Sequence, residues 1–197
     1  MKPFLRITGG KARGRRLFSP AGRWIRPSSS RVRIAIFNII RPRVEGARVL
    51  DLFAGTGSLG LDALSRGAAF CLFIEKRAEA MEALRRNVKK LGFEADCRKI
   101  PGDAFRGQIY AGQVGAPFDL VFFDPPHGYW ETKKDRLLRL LESFASSDAI
   151  RPDAIWVIGH PHDAPEPDEL AFLGELDHRS YSDAHITIAN KGPITLG

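Results

Sequence analysis

Asp124-Pro125-Pro126-His127 and the upstream run from Asp51 to Gly60 (DLFAGTGSLG) are the residues of this chain whose types and order could do chemistry. A planar exocyclic amine is a poor nucleophile because its lone pair is delocalised into the ring. A carboxylate at 124 and the main-chain carbonyl of Pro125 would accept its two N–H bonds and turn the nitrogen toward an electrophile. Prolines at 125 and 126 have no N–H, so the turn is stiff and its carbonyls have no competing local donors. His127, as a neutral ring, would stack on the target base, with Tyr129 or Trp130 adding aromatic area. The candidate catalytic set is therefore Asp124, Pro125, Pro126 and His127.

The strand-like VLDLF runs into Ala54-Gly55-Thr56-Gly57-Ser58-Leu59-Gly60 and then a helix, so the glycines fall where a strand's C-terminal end opens a ligand crevice. Missing side chains let a nucleoside-bearing ligand approach the main chain. Gly55-x-Gly57-x-x-Gly60 also matches the dinucleotide fingerprint, with Glu75 downstream to bond ribose hydroxyls. The motif alone does not separate an NAD-dependent oxidoreductase from an S-adenosyl-L-methionine enzyme. Asp51 tips the balance, because a carboxylate there would meet the ammonium of a methionine moiety and repel a pyrophosphate. No basic residue follows near the helix start until Arg66, and Asp103 stands ready either to accept an adenine amine or to cap a helix. The expected cofactor contacts are Asp51, Phe53, Ala54, Gly55, Thr56, Gly57 and Gly60 from the first segment. Glu75, Lys76, Asp103, Ala104 and Asp124 complete them.

Positioning these residues requires a sheet covered by helices, and the pattern from Arg48 onward alternates short apolar runs with amphipathic stretches. Strands are predicted at about 48–53, 70–75, 95–100, 118–123 and 154–159. Helices are predicted over Ser58 to Arg66, Arg77 to Leu91 and Thr132 to Phe144. GELDHRSY and AHITIAN read as a closing antiparallel pair. Before this α/β domain of residues 27–197 lies a basic arm of residues 1–26, with FLRIT and GRRLF as two hairpin strands joined across Gly9 to Arg13. Ser28 to Ser30 offer N-caps to a leading helix within 27–41, whose Val32, Ala35, Ile36, Ile39 and Ile40 recur at helical spacing while Arg31 and Arg33 point elsewhere.

The chain of 197 residues suits one α/β domain with an appendage. Its net charge of +7 is concentrated, since residues 1–48 hold thirteen Lys/Arg against the single acid Glu45. Clustered cations displace counterions from nucleic acid. Arg6, Lys11, Arg13, Arg15, Arg16, Arg26, Arg31 and Arg33 are the candidate RNA contacts. No apolar run is long enough to span a membrane, and no signal-peptide pattern opens the chain, which points to a cytoplasmic protein with no membrane partner. Cys71 and Cys97 read as buried free thiols, and no metal site is expected.

These residues together resemble the bacterial 16S ribosomal RNA guanine-N2 methyltransferases. The likeness lies in Arg6-Ile7-Thr8-Gly9-Gly10, Gly14-Arg15-Arg16-Leu17, Arg26-Pro27-Ser28-Ser29-Ser30-Arg31-Val32-Arg33 with Phe37-Asn38, the glycine segment, Glu75 and Asp124-Pro125-Pro126-His127. The resemblance implies a Rossmann-like class I methyltransferase fold, with a mostly parallel seven-stranded sheet, helices on both faces and a C-terminal antiparallel pair. It implies S-adenosyl-L-methionine as cofactor and, as partner, small-subunit ribosomal RNA in a 30S subunit or its assembly intermediate. Transfer to adenine N6 in DNA or RNA, and a non-catalytic RNA-binding or assembly protein with a retained pocket, are the competing readings. The chain departs from the family at Ser30 and Ile34, where acids are usual, at His127, where Tyr or Phe is usual, and at Gly159, where an acid or other polar group is common.

Overall fold

The computed structural model describes residues 5–20, 29–181 and 184–191. Strand β1 (Arg48–Asp51) lies inside a seven-stranded sheet, flanked by β2 (Phe70–Glu75) and by the central strand β4 (Phe118–Phe123). β3 (Cys97–Pro101) forms one edge, and β5 (Ile150–His160), β7 (Ala184–Asn190) and β6 (Glu175–Tyr181) complete the order β3-β2-β1-β4-β5-β7-β6. β1 to β5 pair in parallel, while β7 runs antiparallel to both β5 and β6.

The period-two alternation of the strands divides their side chains between two apolar layers. Val49, Cys71, Phe73, Leu120, Phe122, Ile155 and Val157 face one layer. That layer also takes residues of α1 (Ser30–Ile39), α2 (Ser58–Ser65) and α3 (Ala78–Leu91). Leu50, Leu72, Ile74, Val121, Phe123, Trp156 and Ile158 face the other, together with residues of α4 (Gly107–Gly112), α5 (Gly128–Thr132) and α6 (Lys134–Ala145). Both faces of β2, β4 and the second half of β5 are covered, which is why these stretches read as continuous apolar runs.

The helices begin and end for local reasons. Ser29 Oγ accepts the Val32 N–H at 3.3 Å and caps α1. Met81, Leu84, Val88 and Leu91 form the buried stripe of α3, and Gly92 ends it at φ +77°. The helix predicted over Thr132 to Phe144 is α6, which starts two residues later because the Lys133 backbone (φ −144°, ψ 23°) is non-helical and separates it from the short α5, which was not predicted. β5 begins earlier than the apolar run, at Ile150, and α4 has no counterpart among the sequence-based expectations.

Residues 5–18 are docked on the domain. Antiparallel bonds join Ile7 N–H to the Arg15 carbonyl (3.0 Å) and Leu17 N–H to the Leu5 carbonyl (2.8 Å), around an Arg6–Arg16 bridge. Ile7, Ala12 and Leu17 are buried in the layer with α1, α2 and α3. Cys71 and Cys97 sit opposite one another on β2 and β3 as buried free thiols. No helix among the described residues is long and apolar enough to cross a membrane, and no cluster of three or more His, Cys, Asp or Glu among them could hold a metal ion.

Candidate active site

β1 leads on one side to β2 and β3, and the chain then crosses to β4 on its other side, so the C-terminal ends of β1 and β4 flank a topological switch point. Asp51 ends β1 opposite Phe122, and Asp124 follows the last residue of β4. A cavity of about 400 Å³ opens there. Asp124, Pro125, Pro126 and His127 line it from β4 and the start of α5, and Asp51, Phe53, Ala54, Gly55 and Thr56 line it from β1 and its loop. Glu75 and Lys76 enter from the end of β2, and Asp103 and Ala104 from the turn after β3. The two segments singled out by sequence therefore share one hollow.

Gly57 and Gly60, expected as cofactor contacts, do not line it. Gly57 (φ +84°) starts α2, and a Cβ there would fall 2.3 Å from Leu84 Cδ1. A Cβ on Gly60 would meet Phe73 Cε1 at 2.3 Å. Their lack of side chains lets the loop pack on α3 and α2 pack on β2, while Gly55 (φ +54°) has open space where its Cβ would be.

The acids hold the loop as well as facing the cavity. Glu75 accepts Gly55 N–H (2.8 Å) and Arg77 N–H (2.7 Å), and Asp51 accepts Gly60 N–H at 3.2 Å. Burial pushes the Asp51 carboxyl up to about 8, against the pull of the Gly60 bond, and Asp124 and Glu75 push it further. Asp103 accepts Phe105 N–H at 3.2 Å and caps the short turn Ala104–Arg106, so the capping role is realised. A buried carboxylic group among other acids suits a cationic ligand and opposes a pyrophosphate. Thr56 lines the cavity, and its hydroxyl is buried without a protein partner. Open space at Gly55, an orphaned Thr56 hydroxyl and an ammonium-seeking Asp51 fit S-adenosyl-L-methionine.

Around Asp124 the fold supplies walls that were not among the expected site residues. Gly159 of β5 lies so close that a Cβ there would fall 2.1 Å from Asp124 Oδ1. Beyond it stand His160 and, from β7, Ala184, His185 and Ile186, with Ser29 of the α1 cap completing the rim. The His160 ring is held below the usual histidine range by burial, with Nδ1 2.8 Å from the Pro161 carbonyl and Nε2 2.8 Å from Thr187 Oγ1. A carbonyl only accepts, so Nδ1 carries the proton and Nε2 accepts from Thr187. The closing antiparallel pair is legible in the sequence, but only its pairing with β5 brings these residues of β7 to the cavity.

Tyr129 lines the cavity, whereas Trp130 is buried with its Nε1–H donated to the Gly159 carbonyl at 3.1 Å, so it offers no stacking face. The Lys76 ammonium bonded to the Tyr129 phenol holds that group below its ordinary range, against burial, with Lys133 adding to the pull.

The candidate RNA contacts divide. Arg6, Lys11, Arg13, Arg15, Arg16 and Arg31 are exposed. Arg33 is not: it is fully buried, its Nε 2.9 Å from Asp62 Oδ2 and its guanidinium bonded to the Arg6 carbonyl (2.6 Å). Asp62 also accepts the Thr8 N–H and hydroxyl, at 2.7 and 2.9 Å. Helical spacing put Arg33 off the apolar stripe, but the docked arm covers that side too. Arg26 and the linker around it lie outside the described residues.

The family model described as Conserved hypothetical protein 95 matches residues 5–190. A Bacillus subtilis protein named "Putative rRNA methyltransferase YlbH" is 32% identical over 187 residues, 95% of this chain and 99% of its own. "Ribosomal RNA small subunit methyltransferase D" of Escherichia coli K12 is 39% identical over 122 residues, 62% of this chain and 60% of its own. The solved structure "Putative methyltransferase yhhF from Escherichia coli" superimposes with a TM-score of 0.75 at 28% identity, covering 97% of this chain and 100% of that one.

Proposed function

The chain belongs to the family described as Conserved hypothetical protein 95, and from that membership we propose that it is an RNA methyltransferase. It transfers a methyl group from S-adenosyl-L-methionine to the exocyclic N2 amine of a guanine in small-subunit (16S) ribosomal RNA, within a 30S assembly intermediate in the cytoplasm. The observation that carries this reading is the single cavity shared by Asp124-Pro125-Pro126-His127 and the glycine loop. The names of the Bacillus subtilis and Escherichia coli relatives support ribosomal RNA as the substrate class.

When bound, the cofactor supplies an electrophilic sulfonium methyl. The chain's own residues hold and orient. Asp51 meets the ammonium, Gly55 leaves its main chain open, and the Thr56 hydroxyl gains the partner it lacks. Asp124 and the Pro125 carbonyl accept the N–H bonds of the amine and aim its nitrogen, and His127 stacks on the base. The proton leaves the nitrogen after transfer, so no strong base is required.

Purified protein incubated with labelled S-adenosyl-L-methionine and unmodified 30S particles, or their RNA, tests the reading. Nucleosides from the digested product should carry the label in N2-methylguanosine. Label in N6-methyladenosine would overturn the choice of base, and RNA binding with no methylated product would overturn the enzyme.

A further inference from the structure

The buried amide of Asn87 joins the arm to the cofactor loop. Asn87 lies on α3 with none of its surface exposed. Its Oδ1 accepts the Phe18 N–H at 2.6 Å, and its Nδ2 donates at 3.0 Å to both the Phe18 carbonyl and the carbonyl of Thr56. One side chain thus grips the far end of the arm and a residue of the cavity wall.

The rest of the arm is anchored differently. Thr8 is held by Asp62, while Ser65 bonds the backbone of Gly9, Lys11 and Ala12, and none of these residues lines the cavity. Phe18 carries the arm's outward character: the residue is 44% exposed, with the Arg86 guanidinium 5.0 Å above its ring. Arg15 donates to the Lys90 carbonyl near the end of the same helix. On the cavity side, Thr56 adjoins Gly57, which packs on Leu84 of α3.

A buried amide stripped of a partner loses the bond and keeps the desolvation cost, so its three bonds tend to be kept or lost together. We propose that Asn87 is a positioning residue coupling the basic arm to the cofactor loop, so that cofactor binding at Thr56 firms the arm's seat and RNA on the arm tightens cofactor binding. Reciprocity follows from linkage, since a free energy coupling two binding events acts equally on both. The inference rests on the function proposed above.

Amide hydrogen exchange with and without saturating S-adenosylhomocysteine tests the coupling without RNA, after calorimetry has established that the nucleoside binds. The Phe18 amide should exchange about fivefold or more slowly with ligand, while the Thr8 and Lys11 amides are unmoved. In Asn87→Leu the ligand should still bind, more weakly, and the response at Phe18 should vanish. If that variant does not fold, Asn87→Ala, which leaves room for water and no side-chain donor to the Thr56 carbonyl, permits the same comparison. A Phe18 amide indifferent to bound ligand in the wild-type protein overturns the coupling and leaves the cofactor site standing. Failure of the wild-type protein to bind the nucleoside overturns the cofactor reading, and the coupling with it.

Discussion

Asp124 and Asp51 are both carboxylic acids of one cavity, but their surroundings set different tasks. Asp124 is half-buried at its rim, where it can reach an incoming base. Replacing it with alanine should reduce methyl transfer by about 10²-fold or more with cofactor affinity close to wild type. A rate surviving within about tenfold, worth only ~1.4 kcal/mol, would show that the amine is oriented by something else. Asp51 is protonated in the free protein at neutral pH, because burial raises it to about 8. Pairing with an ammonium requires the ionised form, so binding of S-adenosylhomocysteine at pH 7 should release a proton. Calorimetry in buffers of differing ionisation enthalpy reads that proton, and Asp51→Asn should abolish it. The same shift bears on stability: with a native pKa above the unfolded one, the contribution is complete below about pH 4 and is lost as pH rises through about 8. Thermal melts of the free protein should therefore lose more stability between about pH 5 and about pH 9 than those of Asp51→Asn. Gly159 has a third task, because its missing side chain is the space Asp124 occupies. Gly159→Ala should lower kcat while leaving cofactor affinity near wild type, since the Trp130 bond to the 159 carbonyl resists movement of the strand.

At the level of elements, α2 carries more than the helix start that follows the glycine loop. Its buried Asp62 ties α1 to the arm through the buried Arg33 and the half-buried Thr8. Burial lowers the Arg33 guanidinium from its ordinary range more than Asp62 restores it, which marks the desolvation this pair has to overcome. Arg33→Met leaves the Asp62 carboxylate buried without its cation and should cost ~3–5 kcal/mol in urea denaturation. A loss below about 1 kcal/mol, the range of exposed pairs, would mean that water reaches Asp62 as soon as the arginine is gone.

At the scale of the whole molecule, charge is segregated. Thirteen Lys/Arg in residues 1–48 face a single acid, while in the cavity lining Asp51, Glu75, Asp103 and Asp124 outnumber Lys76 and Arg77. Exposed Arg85, Arg86, Lys89 and Lys90 of α3 extend the basic surface beside the docked arm. The two fields suit two ligands, a polyanion outside and a cation within. Removing exposed cations of the arm and of α1, as in Arg13→Ala with Arg31→Ala, should weaken binding to small-subunit RNA and flatten its dependence on salt by roughly 0.7–0.9 per lost phosphate contact. Filter binding over a series of salt concentrations measures that slope, and an unchanged slope would remove these two residues from the interface.

The amino-acid order by itself determined the alternation of strands and helices, the glycine turn after β1 and the acidic proline turn after β4, because each is written in local terms: period, turn chemistry and the missing N–H of proline. It also carried the inference that both turns meet, since parallel strands present their C-terminal ends at one edge. Tertiary structure alone decided that Arg33 is a buried clamp, that Trp130 is a strut, that Gly57 and Gly60 serve packing, and that β7 closes the wall beside Asp124. Each of those depends on a neighbour distant along the chain. Whether an arginine faces water or a carboxylate is settled by what folds over it, and helical spacing specifies only the side from which it projects.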